Sequence, residues 1–385
     1  MATEDKNPQV TRRKFLIWTG AVAASAGLGP LLATGCGTSA VPAAAPTAAP
    51  AGAPAKAVAP TQPPAKAGVI ELKLAHHEAA VGAEGKAFQA YADAVAEKSG
   101  GRLHITVYPS ETLGKVADAY NNVVNGIADI AWTPVSYMSG KAPLTEAFNL
   151  PMLGFTSAQH AARAHAMWVK TNPIVQKEWS EVHLLVPFAV GGTALFTAKK
   201  PLRKLEDLAG MKMQASASFG PTNFMKAVGA SPNPIGTPDI YDALTKGVIE
   251  GYLTSPAAVM SQRLYEITKY MVVGMPIYNG HAALSMNKKK WESLPPDLQQ
   301  ILEDPGLKPS AGEYLAGAFD THDAEVKAAI EKAGGEGITW PPEEVARLQA
   351  VTKTVWNSWA ETVKDKGFDG VKEVQNLVDI VAKTK

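Results

Sequence analysis

The sequence contains almost no cysteine and no excess of charge of either sign. Cys36 is the only cysteine among 385 residues, which excludes an internal disulfide and a metal cage built from several thiolates. The 37 Lys and Arg against 36 Asp and Glu leave a formal net charge of +1. Such a balance argues against a nucleic-acid-binding protein held by a large positive field.

The sequence motifs of several enzyme classes are also absent. The chain has no Gly-x-Ser-x-Gly, His-Glu-x-x-His, P-loop or Gly-x-Gly-x-x-Gly motif. His160 and His165 are five residues apart, a spacing that does not place two metal ligands on one face of a helix. These absences predict a protein that is not an enzyme and that binds no metal or cofactor.

The first 36 residues have the pattern of an export signal. Arg12 and Arg13 form a twin-arginine pair, and an apolar stretch over residues 15–32 follows them. This pattern predicts a signal peptide that the Tat export machinery recognises. The alternative is a transmembrane anchor, but three glycines and one proline interrupt the stretch, and a span needs ~20 mostly apolar residues.

Residues 33–36 resemble a bacterial lipobox, in which the cysteine is lipidated. Ala33 departs from the leucine usual in that motif, and the alternative is an unmodified thiol in a discarded peptide. Lipidation of Cys36 would attach the mature chain to a membrane. Residues 37–67 are rich in Ala, Pro and Thr, which predicts a disordered tether. We therefore expect an exported, lipid-anchored protein in the periplasm or on the outer face of the cytoplasmic membrane.

From residue 68 onwards the hydrophobic pattern alternates between strands and helices. In the first half, alternating apolar residues predict strands over 69–75, 103–108 and 127–132, with helices over 84–99 and 115–125 between them. After residue 182 the pattern starts again, with predicted strands over 183–190, 195–197, 211–215 and 248–253. We also expect a helical turn over 205–209 and helices over 221–228 and 237–246. This is the pattern of an α/β protein.

The two halves contain a short echo that favours two similar lobes. Residues 125–129 and 246–250 both read as the end of a helix, a glycine, an apolar residue and an acid before a strand. Long helices are predicted over 310–332 and 343–366. We expect a first lobe of residues 68–192 plus 281–320 and a second of 193–280 plus 321–385, with a ligand cleft beyond the carboxyl ends of the strands.

A series of short segments between residues 70 and 300 resembles one known family. The segments, in order, are 72–76, 98–103, 107–109, 113–114, 124–130, 148–151, 205–212, 240–251 and 287–297. Together they are similar to the extracytoplasmic solute-binding proteins of TRAP transporters, the DctP-like family. The resemblance implies a two-lobed periplasmic-binding-protein fold, with mixed sheets flanked by helices and long C-terminal helices spanning both lobes. It also implies capture of a small-molecule solute and delivery to TRAP permease subunits in the membrane.

The chain departs from that family where a ligand carboxylate would bind. The family's Arg in the strand after residue 210 corresponds to Gln214, and a second Arg used by some members corresponds to Ala194. A guanidinium makes two parallel hydrogen bonds to a carboxylate, which the neutral amide of Gln214 cannot copy. The departure favours a neutral polar solute, or an acid held by other groups.

Polar and aromatic residues near the predicted strand ends are candidates for contact with the solute. Gln214 is the first of them because it occupies the clamp position. Trp132 and Tyr137 follow a predicted strand, and ordinary core packing is their alternative role. At most one of His76 and His77 is expected to face the cleft, because neighbours on an extended segment point to opposite sides. The remaining candidates are Thr254, Ser255, Phe219, Tyr278 and His281.

The resulting prediction is a solute-binding lipoprotein of a TRAP-type transporter, for a small polar or organic-acid metabolite. Two alternatives are a sensory binding protein for a signalling receptor and an extracytoplasmic enzyme built on a binding-protein fold, because fold alone does not determine function.

Overall fold

The computed structural model describes residues 68–138, 140–320 and 322–385. The predicted signal residues Arg12 and Arg13, the predicted lipidation site Cys36 and the predicted tether over 37–67 lie outside the described residues. Within the part of the chain that the structure describes, no helix combines the length and the apolar character that crossing a membrane requires.

The described residues form two mixed β-sheets flanked by helices, which confirms the predicted fold class. The strands are β1 (Ile70–Ala75), β2 (Leu103–Tyr108), β3 (Ile130–Pro134), β4 (Val182–Gly192), β5 (Ala194–Thr197), β6 (Lys212–Gln214), β7 (Ser231–Asn233), β8 (Gly251–Thr254), β9 (Tyr270–Val272), β10 (Asn279–Asn287) and β11 (Glu336–Ile338).

The helices lie on both faces of the sheets and are named in chain order. They are α1 (Ala83–Lys98), α2 (Ala119–Val124), α3 (Ala158–Thr171), α4 (Pro173–Glu178), α5 (Phe219–Ala227), α6 (Ile240–Thr245), α7 (Pro256–Ser261), α8 (Lys288–Glu292), α9 (Pro296–Glu303), α10 (Ala311–Gly317), α11 (Asp323–Lys332), α12 (Pro342–Lys364) and α13 (Gly370–Lys383).

Each sheet combines parallel and antiparallel strands. The first has the order β2-β1-β3-β10-β4, with β1 parallel to both β2 and β3, and β10 antiparallel to β3 and β4. The second has the order β11-β9-β5-β8-β6-β7, with β6 parallel to β7 and β8. Parallel neighbours bring the carboxyl ends of β1 and β3 to one edge of the first sheet, and those of β6 and β8 to one edge of the second.

The chain passes between the sheets at two adjacent connections, between α10 and α11, and along one long helix. Thr193 joins β4 to β5, its N–H donates to the carbonyl of Tyr278 at 2.7 Å, and the N–H of Ile277 donates back at 2.9 Å. Helix α12 places Leu348 in the core of the second sheet and Trp359 in that of the first. Two lobes that move about a hinge must be connected by such segments of the chain.

The echo between the halves is a structural repeat. The carboxylate of Asp129 accepts the backbone N–H of Lys73 at 2.8 Å, and that of Glu250 accepts the N–H of Lys212 at 3.0 Å. In both places a glycine with positive φ ends the helix, at Gly126 and Gly247, where a side chain would be strained. The acid therefore anchors the start of one strand to its parallel neighbour in each sheet.

Several predicted elements differ from the structure. The helix predicted over 310–332 is two helices, α10 and α11, because the Asp320 carboxylate between them accepts the N–H groups of Ala158 and Gln159 at the start of α3. The strand predicted to begin at Ile127 begins at Ile130. Helix α13 packs against the core of the first sheet, although the sequence grouped residues 321–385 with the second lobe. Strand β10, which lies between β3 and β4 in the first sheet, was not predicted.

Candidate functional site

A cavity of about 90 Å³ lies between the two sheets. Residues at or just beyond the carboxyl ends of β1, β3, β6 and β8 form its walls, together with the connections at Thr193 and Tyr278. Open α/β sheets bind ligands beyond the carboxyl ends of their strands, because loops and free backbone groups collect there. The topology therefore places a candidate ligand site where the two sheets face each other.

Most of the residues predicted from the sequence to contact a solute border this cavity. They are His77, Trp132, Tyr137, Gln214, Thr254, Ser255, Tyr278 and His281. Contact with a solute stays a prediction for each of them. Residues as far apart in the sequence as His77 and His281 meet here, so the cavity is a product of the tertiary fold.

An aromatic wall on the side of the first sheet is formed by Trp132 and His77. Their rings stack at a centroid distance of 4.2 Å with an angle of 21° between the planes. The indole Nε1 of Trp132 is buried and has no hydrogen-bond partner. Burial lowers the pKa of His77 to about 4, against a weaker upward effect of Glu111, so this imidazole is neutral at pH 7. The wall offers flat apolar faces and one free N–H donor.

Gln214 ends strand β6 and faces the cavity from the second sheet. Its Nε2 donates to the carbonyl of Ile235 at 3.0 Å, whereas its Oε1 is buried and has no partner. Because the Nε2 of Gln214 already donates to the carbonyl of Ile235, the side-chain oxygen remains free to accept a hydrogen bond from a solute. Gln214 therefore has a free acceptor oxygen at the position where the family resemblance would place the donor groups of an Arg.

Two tyrosines border the cavity from different connections. The hydroxyl of Tyr278 lies 3.3 Å from the Oγ of Ser216. Burial raises the pKa of both Tyr137 and Tyr278 to about 12, so both are neutral hydroxyls that can donate or accept a hydrogen bond. The hydroxyl of Tyr137 reaches the loop after β7, where a Cβ added to Gly236 would lie 3.2 Å from it. Tyr137 thus spans the gap between the two sheets.

Thr254 and Ser255 follow strand β8 and differ in role. The Oγ of Ser255 accepts the N–H of Ala258 at 3.3 Å, which makes it the N-cap of α7. This structural bond accounts for Ser255 without a solute. Thr254 borders the cavity at the end of β8, where it pairs with Ala194 of β5.

Some predicted positions lie away from the cavity or point elsewhere. The ring of His76 stacks on Phe88 at 4.7 Å, and His76 does not border the cavity. Phe219 packs against the core of the first sheet. His281 borders the cavity, but its ring lies among Phe148, Phe155 and His165.

Ala194 does not border this cavity, which leaves Gln214 as the one clamp position that does. Ala194 lines a separate cavity of about 300 Å³ together with Gly192 and Met271.

Six polar residues of the cavity wall were missed in the sequence: Glu78, Ser136, Asn149, Thr193, Ser216 and Thr237. Glu78 comes directly after His77, and Ser216 lies in a loop without a strong local pattern. Burial raises the pKa of Glu78 to about 7, with a further upward effect of Glu84 that exceeds the opposing hydrogen bond from Ser261. An acid just after the first strand was a usable signal for Glu78.

The chemistry of the cavity is neutral to acidic. Among the described residues that line it there is no Lys or Arg, and burial keeps the pKa of His281 well below its ordinary value. No group of three or more His, Cys, Asp or Glu among the described residues could hold a metal ion. The arrangement provides aromatic faces, hydroxyls and amide groups, which suit binding and offer no nucleophile with an adjacent base.

Comparison with known proteins identifies the family. The family model described as bacterial extracellular solute-binding protein, family 7 (DctP), matches residues 74–362. An uncharacterized protein of Sinorhizobium fredii is 28% identical over 291 residues, which cover 72% of this chain and 50% of that protein. The chain therefore spans about half the length of this relative.

Two solved structures share the fold. A TRAP solute binding protein from Rhodoferax ferrireducens T118, in complex with benzoate, has a TM-score of 0.76 and 27% identity, covering 82% of this chain and 98% of that one. A marine metagenome TRAP solute binding protein specific for aromatic acid ligands, with 3-hydroxybenzoate, has a TM-score of 0.76 and 25% identity, covering 82% and 99%. The chain belongs to the bacterial extracellular solute-binding proteins of family 7, a family of solute-binding transport components and not of enzymes.

Proposed function

We propose that this chain captures a small solute in the cavity between its two sheets and delivers it to the membrane subunits of a TRAP-type transporter. The observation that carries the proposal is the cavity itself, which combines aromatic walls and few polar groups at the carboxyl ends of strands from both sheets. Solute binding would shift an equilibrium between open and closed lobes, and the closed form would dock on the permease.

The lobes of this proposal follow the sheets. We place their boundary at Thr193 and Tyr278, where the two connections between the sheets bond to each other. Helix α13 goes with the first lobe because Leu377 and Val381 are buried in its core.

The cavity favours a solute of limited size. A buried water needs about 10–15 Å³ of comparable volume, so a cavity of about 90 Å³ holds roughly six to nine water-sized groups. A single aromatic ring with one short substituent is of this size. The stacked rings of Trp132 and His77 would cover one face of such a ring. The benzoate and 3-hydroxybenzoate bound by the two relatives are solutes of this kind.

The proposal is tested by titrating the purified chain, from residue 68 onwards, with a library of small polar and acidic metabolites. Binding is followed by tryptophan fluorescence and by the melting temperature. At least one compound is expected to quench the fluorescence and to raise the melting temperature, because a bound solute stabilises the folded form. A complete lack of response across the library would contradict the proposal.

A variant at the clamp position sharpens this test. Gln214→Arg is expected to raise the affinity for benzoate at least tenfold, because it restores a cation that pairs with a carboxylate. Gln89→Arg makes the same chemical change at an exposed position on α1 and is expected to leave the affinity unchanged. Equal effects of the two variants would show that Gln214 does not face the solute.

We also propose that Arg12 and Arg13 direct export and that Cys36 is lipidated, so that residues 37–67 tether the folded part to a membrane. The extracellular family supports a location outside the cytoplasm. In cells that express the full chain, Cys36→Ser is expected to move the protein from the membrane fraction to the soluble fraction. An unchanged membrane fraction would contradict lipid anchoring at Cys36.

A further inference from the structure

Two residues that line the cavity from opposite sheets, Gln214 and Glu78, each carry a buried hydrogen-bond acceptor without a partner. The Oε1 of Gln214 and the Oε2 of Glu78 are both without a hydrogen bond, and the two residues are only 2% and 4% exposed. A buried acceptor without a partner costs free energy, and a solute that donates hydrogen bonds removes that cost. The two atoms therefore indicate what the head group of the solute must supply.

The charges around the cavity also favour a solute that donates hydrogen bonds. No Lys or Arg is found among the described residues that line it, and Glu78 is the only lining carboxylate. His77 beside it is neutral at pH 7. The other groups that act on Glu78 are Glu84 of α1, which disfavours its ionised form, and Ser261 of α7. Glu84 itself pairs with a cation, His322.

A free carboxylate is poorly matched to these surroundings. It would bring a negative charge beside two acceptors into a buried site that has no lining cation to compensate for the loss of hydration. An amide or an amine instead brings N–H donors to Gln214 and Glu78. The carbonyl of an amide could also accept from the free Nε1 of Trp132.

We infer that this cleft recognises a small solute whose head group donates hydrogen bonds and carries no negative charge, an amide or an amine, with Gln214 and Glu78 as its acceptors. Glu78 is thereby a specificity-determining residue of the site. The inference rests on the proposed solute-binding function and names the class of its solute. It distinguishes this chain from the two relatives whose structures contain aromatic acids.

The experiment compares three ligands that share one ring and differ in the head group: benzamide, benzylamine and benzoate. Their dissociation constants are measured by calorimetry on the chain from residue 68 onwards at pH 7.5. Benzamide and benzylamine are each expected to bind at least tenfold more tightly than benzoate. Tighter binding of benzoate than of either, or no binding of benzamide and benzylamine, would overturn the inference.

A pair of matched variants assigns the effect to Glu78. Glu78→Gln is expected to weaken benzylamine binding at least tenfold and benzamide binding less, because only the ammonium needs the negative charge. Glu146→Gln is the control, since Glu146 is also a buried carboxyl whose pKa burial raises to about 7, but it lies outside the cavity wall. An equal loss in both variants, or none in Glu78→Gln, would contradict the role of Glu78.

The pH dependence gives a further readout. Because Glu78 loses its proton near neutral pH, the affinity for benzylamine is expected to rise between about pH 6 and pH 8.

Failure of this inference can be distinguished from failure of the proposed solute-binding function. If benzoate is the preferred ligand, the inference falls and the solute-binding function stands; if no metabolite in the library binds, the function itself falls.

Discussion

His322→Leu is expected to lower the free energy of unfolding by about 3–5 kcal/mol. The Nε2 of His322 lies 3.3 Å from the Oε1 of Glu84, and Glu84 is only 2% exposed. The leucine variant would leave that carboxylate buried without its cation, which is more costly than the pair itself is favourable. Urea denaturation followed by circular dichroism measures the difference.

The matched control is another His–Glu pair, on the surface. His104 lies 2.6 Å from Glu71, but the two side chains are 58% and 65% exposed. Water replaces the partner at such a site, so His104→Leu is expected to change the free energy of unfolding by less than about 1 kcal/mol. Similar losses in the two variants would contradict the argument from burial.

A second variant separates the unpaired charge from lost packing. Glu84→Gln added to His322→Leu is expected to restore part of the lost stability, because it removes the buried charge. If the double variant loses as much unfolding free energy as the two single variants lose together, His322 and Glu84 do not act as a pair.

The pH dependence of this pair follows from its hydrogen bonds. The hydrogen bond to Glu84 raises the pKa of His322 to about 9. A second hydrogen bond, to Glu325, also raises this pKa, whereas burial lowers it. A pKa that is higher in the folded state stabilises the fold fully below the ordinary pKa of about 6.5, and this contribution is lost as the pH rises through about 9. The difference between wild type and His322→Leu is therefore expected to be largest near pH 6 and to shrink by about pH 10.

Trp359→Ala is expected to cost about 3–5 kcal/mol of unfolding free energy. Trp359 lies on α12, is 1% exposed and packs in the core of the first sheet. Truncation removes its buried surface and leaves a cavity that rigid neighbours fill only in part. The loss is measured by urea denaturation with circular dichroism, since the variant also lacks a fluorophore.

Trp356, one turn earlier on α12, provides the comparison. It is half-buried against the same core, and its Nε1 donates to the carbonyl of Pro151 at 2.8 Å. Trp356→Ala is expected to destabilise the protein by less than Trp359→Ala, because less apolar surface leaves the core. A larger loss at Trp356 would show that α12 is held mainly through that hydrogen bond.

The sequence predicted best those elements whose pattern is local. Strand β2 matches its predicted bounds, and α1 differs by one residue at each end, because alternation and the glycines at 100 and 101 are signals within the segment itself. The long helix predicted over 310–332 was wrong. Nothing within that segment shows that Asp320 leaves the helix to cap α3, more than 150 residues away.

The candidate site shows the same division. Gln214 and Trp132 were found because family positions and strand ends identify them, and both border the cavity. Glu78 was missed because a carboxylate in a loop is ordinary on a surface. Only the structure shows that Glu78 is buried, that Glu84 acts on it and that His322 pairs with Glu84.

The sequence by itself determined the family, the alternation of strands and helices, and the loss of the arginine at position 214, since each depends on the residue type at one position or on spacing along the chain. Only the tertiary structure decided which side chains share the cavity and which polar atoms there lack a partner. Burial and hydrogen bonding depend on neighbours that are distant in the chain, and those neighbours set both the charge of the site and the solute it can hold.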